Sequence, residues 1–338
     1  MTSINIKKLL QSAKDNKPTR GNLYNFGDDT VENVISRAKG REKSKKKNQK
    51  VVKENASQCI IIIPDVHAHD RDEPAYELVM QHALPELAKA YNVTKFVQLG
   101  DLLDVAELTS HPKSHVDETV PKYEDELNWA VDDFWARAME TLPNAEFHAL
   151  MGNHEHRINT YVCKNFGKKE FAKHINDTLE PTRIYEDMGI KVTPYGAEYA
   201  YENMLEIHPG LFCVHGWSFS THAAATHLNK VGAGMSMIFG HTHRIDSYVK
   251  AQAGTGTLKG AWSMGALQKK NRYYNKGTPN DHALGFGIVL THGDAYTVYT
   301  IPIHGNEFKR DKNGERVINN HRHCILPNGK AIEIDLDN

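Results

Sequence analysis

The sequence predicts an α/β protein that shades into α+β: a parallel sheet covered by helices, a β-rich tail, and a small helical, basic N-terminal segment. Three observations carry this reading. The run Cys59-Ile60-Ile61-Ile62-Ile63 stops at Pro64, and a short unbroken apolar run ended by a breaker marks a strand buried on both faces. Strand-like runs then alternate with amphipathic helical stretches as far as Met151, which implies parallel pairing through crossover helices. The last third of the chain turns to strand-like alternation broken at Asn313-Gly314 and Asn328-Gly329, which are hairpin signals.

The bulk numbers exclude several classes. A chain of 338 residues with 40% hydrophobic and 25% charged content is an ordinary soluble composition with room for a large core. The net charge of −1 supplies no global field, so affinity for a polyanion would need a local patch. Cys59, Cys163, Cys213 and Cys324 show no paired spacing. Cys59 and Cys213 lie in apolar runs and read as reduced thiols packed as small hydrophobes. The first residues lack the apolar core of a signal peptide, and nowhere do about 18 apolar residues run together. A cytoplasmic protein without a membrane span is expected. Histidine is the unusual residue, with 20 copies, and its spacing is informative.

The elements follow in order. Ile6, Leu9, Leu10 and Ala13 have helical spacing, Leu23 to Gly27 is a second short segment, and Asp28-Asp29-Thr30 caps a helix to about Lys39. Three short helices of this kind resemble a helix-turn-helix unit. Arg37, Lys39, Arg41, Lys43, Lys45, Lys46, Lys47, Lys50 and Lys53 then face the single acid Glu42. Such a run is either a solvated linker or a nucleic-acid contact, because like charges repel unless a polyanion neutralises them. Residues 1–55 are therefore read as a basic segment, 56–305 as the main domain and 306–338 as a β-hairpin extension. Within the main domain a helix runs to about Tyr91 with Tyr76, Val79, Met80, Ala83, Leu84 and Leu87 inward, and Pro85 predicts a kink or break. Thr94 to Leu99 is a strand. Glu124 to Leu142 is a helix with Trp129, Phe134, Trp135, Ala138 and Met139 toward the core, and Phe147 to Met151 is the next strand. Residues 167–205 read as helical and then irregular. Leu211 to Val214, a helix over about 221–231, Met235 to Phe239, Gly285 to Leu290 and Ala295 to Ile303 complete the pattern.

Five strand ends each deliver a metal-competent group: Asp65 with His67, Asp101, Asn153 with His154, His215, and His241 with His243. A site past the carboxyl ends of strands is where open α/β sheets place their chemistry. Asp65 and His67 stand two apart on an extended segment, so both reach one ion. Singly these residues carry little. Together, Asp-x-His, Gly-Asp, Gly-Asn-His-Glu, His-Gly and Gly-His-x-His resemble the calcineurin-like metallophosphoesterase superfamily over about residues 58–245.

The resemblance implies a β-sandwich flanked by helices and metal-dependent phosphoester hydrolysis. It assigns Asp65, His67 and His243 to one ion, Asn153, His215 and His241 to a second, and Asp101 to the bridge. A bridging carboxylate brings two divalent ions to roughly 3.5–4 Å, and a hydroxide between them attacks phosphorus in line. Neutral imidazoles and Asn153 leave the pair enough positive charge to bind a phosphate. The mixed donor set suits manganese first, with iron or zinc as alternatives. His154 would protonate the leaving oxygen. Arg157 either binds a phosphate oxygen or pairs with Glu155. Between Lys269 and Lys276, Arg272 stands among tyrosines and lysines, a mixture that can grip phosphate and stack bases. His69, His111, His115, His148, His156, His222, His227, His321 and His323 are read as non-ligands.

Protein serine/threonine phosphatases of the superfamily continue these motifs with Gly after Asp-x-His and with Arg-Gly after Gly-Asp-x-x-Asp, where this chain has Ala68 and Val105-Ala106. The basic segment favours a nucleic-acid phosphodiester, hence a nuclease. A nucleotide or cyclic-nucleotide phosphoesterase is the alternative, and a metal-free binding scaffold is a third class that the complete ligand set disfavours.

Overall fold

The computed structural model describes residues 25–26, 29–30, 58–109, 121–167, 170–232, 234–252, 254, 256–270 and 279–337. Two sheets form its centre. The first contains β1 (Gln58–Ile63), β2 (Asn92–Gln98), β3 (Glu146–Leu150) and β4 (Lys191–Thr193). These four run parallel in that order. The second contains β5 (Leu205–His208), β6 (Leu211–Val214), β7 (Ser236–Phe239), β8 (Ile245–Ala251) and β9 (Leu258–Met264), in the order β8-β9-β7-β6-β5. Strands β10 (Gly285–His292) and β11 (Ala295–Pro302) return antiparallel to close the first sheet beside β1.

The isoleucine run divides between two cores by the period-2 rule of a strand. Ile61 and Ile63 face a helical layer with Tyr76, Leu84, Phe96, Phe134 and Trp135. Ile60 and Ile62 face the second sheet, meeting Val97, Leu99, Cys213, Ile238 and Met264. That is why every residue of the run is apolar. A third cluster lies under α6 (Ala223–Lys230), which covers the far face of the second sheet with Ala223, Ala224 and Leu228 against Val214, Met237 and Phe239. The layers are thus helices, sheet, sheet, helix, the sandwich that the motifs imply.

Of the kink or break expected at Pro85, the break does not occur. From Glu73 to Ala90 the chain, α1, is helical throughout, with one π-helical stretch at Leu78–Ala83 directly before the proline. There Leu84 N–H donates to the carbonyl of Val79, five residues back. The wider turn absorbs the proline, so the helix is not broken. Helix α2 (Tyr123–Thr141) carries a similar turn at Ala130–Trp135. Helix α3 (His156–Phe166) precedes the stretch read as helical and then irregular, and α4 (Glu170–Leu179) and α5 (Thr182–Asp187) form that stretch's helical part before β4. Near the N-terminus, Asn25–Phe26 pair antiparallel with Asp29–Thr30, where a helical segment and a helix cap were expected. The remainder of residues 1–57, including the basic run, lies outside the described residues.

The tail forms two hairpins, Phe308–Arg310 with Arg316–Ile318 and His321–Ile325 with Ala331–Asp335. The second is no loose appendage. Cys324, Leu326 and Ile332 join the helical-side core. Arg322, 2% exposed, forms a bidentate pair with Asp72 at 3.0 and 2.6 Å. Asp72 in turn caps α1 by accepting from Ala75 N–H. The Cys59 and Cys213 thiols are buried and free, as expected, and burial raises both pKa values, Cys59 to about 12.

Candidate metal centre

All five motif loops leave the same end of the sandwich, and short backbone bonds sew them together. His67 N–H donates to Asp101 O at 3.0 Å, Gly240 N–H to His215 O at 3.0 Å, and Leu267 N–H to Asp65 O at 3.1 Å. The local backbone is unusual. Asp65, His67, Asp101, His241 and His243 all have positive φ, from 30° to 66°, with Val105 the one other non-glycine among the described residues. Left-handed conformations cost non-glycine residues roughly 1–3 kcal/mol each and persist where the surroundings enforce them. Asp65 and His67 are thus not on the extended segment expected for them, and left-handed turns, not strand alternation, accompany the gathering of their side chains with that of His243. A Cβ on Gly152 would collide with Asp101, and one on Gly240 with Asp65, so only glycine lets these loops approach so closely.

Three donor groups result among the described residues, one of them His67, Asp104 and His154, and the other two share a carboxylate. Asp65, His67, Asp101 and His243 form one; Asp101, His215 and His241 form the other. The Asp101 carboxylate belongs to both, 3.8 Å from His67 Nε2 and 3.4 Å from His215 Nε2. Asn153 Oδ1 lies 2.9 Å from His215 Nε2. The structure therefore brings together all seven residues that the sequence nominates as ligands. His154 stands beside them, its Nε2 3.8 Å from Asp101 and its Nδ1 3.2 Å from Asp104 Oδ1. Arg157 donates to Asp104 O at 2.7 Å and lies 3.0 Å from His154 Nε2, so its partners here are these and not Glu155. Arg272 lies outside the described residues. Residues on either side of its loop are tied to the site: Leu267 to Asp65, and Ala283 to His243 at 2.8 Å.

The donor chemistry fits a metal. His215 Nδ1 donates to Leu99 O at 2.8 Å, so the lone pair of a neutral ring points from Nε2 toward oxygens of Asn153 and Asp101. His67 is arranged alike, Nδ1 on Asp104 Oδ1 at 2.9 Å and Nε2 3.1 Å from His243 Nε2. Ring nitrogens fixed by a partner on their other side and gathered with carboxylate oxygens are the donor set a divalent ion takes. Burial alone would lower His215, but the Asp101 and Asp65 carboxylates lift it to about 9. His67 and His241 are each lowered to about 3, by burial first. Asp101 is driven well below its ordinary value, because its imidazole neighbours outweigh its burial.

Three supports escaped the sequence reading. Glu155, 2% exposed, accepts from the backbone N–H of Asp101 at 3.1 Å, Leu103 at 2.8 Å and Gly152 at 2.9 Å. Its carboxylate thereby staples the Asp101 loop to the Asn153 loop. Glu126 accepts from Asp104 and Val105 N–H at 2.7 and 2.9 Å and so holds the strained Val105. Burial, then the charge of Asp104, raises Glu126 to about 8. His227, read as a non-ligand, is fully buried; it accepts from Trp217 N–H at 3.1 Å, fixes its tautomer on Ala223 O at 2.8 Å, and stacks on Phe239 at 4.0 Å. Glu155 sits inside a recognised motif and was the only one with a sequence signal. Of the other histidines set aside, His69 is exposed, His156 packs on Tyr195, and His321 pairs with Glu333 at 2.8 Å. His111 and His115 lie outside the described residues.

Residues 60–244 match the family model described as calcineurin-like phosphoesterase. That span exceeds half of the chain. The chain belongs to the calcineurin-like phosphoesterase family. As a member it is a metal-dependent phosphoester hydrolase, and its buried Asp and His cluster is a site suited to metal. A relative, the gene 54 protein of Mycobacterium phage D29, is 25% identical over 225 residues, covering 64% of this chain and 84% of the phage protein. Among solved structures, Vps29 of Chaetomium thermophilum aligns at 11% identity with a TM-score of 0.36, over 82% of this chain and 95% of that one. No helix among the described residues is long and apolar enough to cross a membrane.

Proposed function

We propose that this phosphoesterase cleaves nucleic-acid phosphodiesters at a two-metal centre, with manganese the best-suited ion and iron or zinc the alternatives. The carrying observation is the position of Asp101, whose single carboxylate is shared by two otherwise separate donor groups. Asp65, His67 and His243 would hold one ion, Asn153, His215 and His241 the other, and Asp101 both. When bound, the ions supply Lewis acidity toward the phosphate and a deprotonated water as nucleophile.

The protein's own residues supply the rest. Asp104 accepts from His67 and holds the His154 ring by its Nδ1 side, which orients Nε2 toward the reacting group. In this arrangement Arg157 occupies Nε2. A guanidinium prefers a bidentate anionic oxygen pair to an imidazole, so a bound phosphate would draw Arg157 to its oxygens and free His154 Nε2 to take up a proton from solvent and pass it to the leaving alkoxide. The polynucleotide reading is supported by the basic run Arg37 to Lys53 and by the basic-aromatic stretch around Arg272.

The test is hydrolysis by the purified chain with Mn²⁺ of single-stranded DNA, duplex DNA, RNA, a cyclic nucleotide and a chromogenic diester. Polynucleotide should be the best substrate; a cyclic nucleotide preferred by orders of magnitude would replace this reading with the small-molecule one. Asp101→Asn should abolish turnover on all of them and lower the bound metal from about two ions per chain. Full wild-type activity after exhaustive chelation would overturn the metal mechanism itself.

A further inference from the structure

The rim of the centre carries a residue that the fold does not use. Phe219 is 70% exposed, yet its ring stands 3.8 Å, centre to centre, from that of His241, tilted by 41°. One face of the ring covers a candidate ligand and the other meets solvent. Scattered surface aromatics are common and need no explanation; this one is held in place by a built loop. Trp217 N–H is fixed on His227, and the Trp217 ring packs on the same imidazole at 4.5 Å. Ser220 Oγ bonds Thr226 at 3.1 Å. Arg244, the residue after His243, donates to the carbonyls of Phe219 at 3.4 Å and Ser220 at 2.6 Å, and pairs with Asp281 at 3.1 Å. Tyr195 meets His215 edge-on and is half-buried, so of the two rings Phe219 offers the more open face.

We propose that Phe219 is a stacking platform for the planar ring of the substrate, so that the site selects phosphoesters whose alcohol carries a nucleobase. This rests on the phosphodiesterase reading above. A phosphate engaged beside His241 leaves its esterified sugar and base to extend over the rim, where the open face of Phe219 awaits a flat, polarizable partner. Every nucleobase has such a face, so the platform favours base-bearing esters without reading sequence. Alkyl esters and abasic sites would forgo the contact.

The experiment compares d(TpT) with the same dinucleotide carrying tetrahydrofuran in place of both bases, using the full chain with Mn²⁺. Both substrates share the scissile diester and the leaving alkoxide, so the ratio of their kcat/KM values isolates the base. Wild type should prefer d(TpT). Phe219→Ala should reduce that preference about tenfold, mainly through KM, the order of effect for one stacked base; Phe219→Trp should keep it. Binding of fluorescent oligothymidylate against its abasic counterpart, without metal, should show the same loss. A preference unchanged in Phe219→Ala overturns the proposal, as do equal losses on both substrates, which would reduce Phe219 to a packing residue of His241. If wild type cleaves neither dinucleotide, the phosphodiesterase reading fails, and the metal-free binding preference still decides the role of Phe219.

Discussion

Replacing Glu155 by Gln perturbs the metal centre without replacing a candidate ligand. One oxygen, Oε2, accepts from both Asp101 and Gly152, and Oε1 accepts from Leu103. Glutamine keeps the shape but must turn its NH₂ toward one side. Facing it to Leu103 is the smaller loss, since one bond is given up instead of two. A bond to a charged acceptor contributes about 1.5–3 kcal/mol, and a buried N–H left facing another donor costs about 1–3 kcal/mol more. Removing a buried charge beside Asp101 returns part of this, because burial and the Asp101 charge both raise the Glu155 pKa. The net expectation is about 2 kcal/mol of stability lost in metal-free protein, measured by urea denaturation. The Asp101 loop loses its tie at Leu103, and the bonds from Asp101 and Gly152 pass to a neutral oxygen, so manganese affinity should fall about 10–100-fold by calorimetric titration, the usual effect of a support behind a ligand. Stability within about 0.5 kcal/mol of wild type, with undiminished manganese affinity, would refute the reasoning.

Further expectations concern residues other than Glu155. Arg322→Met strands the Asp72 carboxylate in the interior and should cost about 3–5 kcal/mol by chemical denaturation, with much of it recovered in the Asp72→Asn/Arg322→Met pair. Burial lowers His227 to about 4, beneath its ordinary ~6.5 in the unfolded chain. The unfolded state therefore takes the extra proton: the contribution is whole above about pH 6.5 and is lost as pH falls toward 4, at up to ~1.4 kcal/mol per unit. His227→Gln should flatten the stability profile over that window by about one proton; an unchanged slope contradicts it. His154→Ala should slow alkoxide-releasing substrates about 10²–10⁴-fold and nitrophenolate release much less, and equal losses would exclude the acid role. Deleting residues 1–55 should flatten a log–log salt dependence of duplex binding from a slope of about −4 to −5, the value for about five phosphates; an unaltered slope would make the segment a linker.

Much of this architecture is local in origin and so was legible in order along the chain. An apolar run ending beside a proline or glycine and an acid or imidazole recurs at Ile63, Leu99, Leu150, Val214 and Phe239, and each specifies one strand and one loop. Helix faces were equally readable: Tyr76, Val79, Met80, Ala83, Leu84 and Leu87 are all buried. Harder were β5, β8 and β9 of the second sheet. Strand β8 is exposed along most of its length, so it shows no alternation to read. The π turn before Pro85 was hidden because propensity describes the proline and not the slack in the turn before it.

By itself, then, the sequence determined which residue types arrive at one end of a parallel sheet, because strand direction carries side chains there one motif at a time. It could not determine which of them share an ion or what holds them. Asp104 meets His67 and His154 across 37 and 50 positions, Glu155 binds the Asp101 loop across 54, and Arg322 grips Asp72 across 250. Nor does any local pattern announce that Asp65, His67, Asp101, His241 and His243 adopt left-handed backbone, since non-glycine residues avoid it unless the fold compels them. Those arrangements belong to the tertiary structure, where burial makes every unpaired carboxylate or imidazole costly and so leaves few ways for distant charges to be placed.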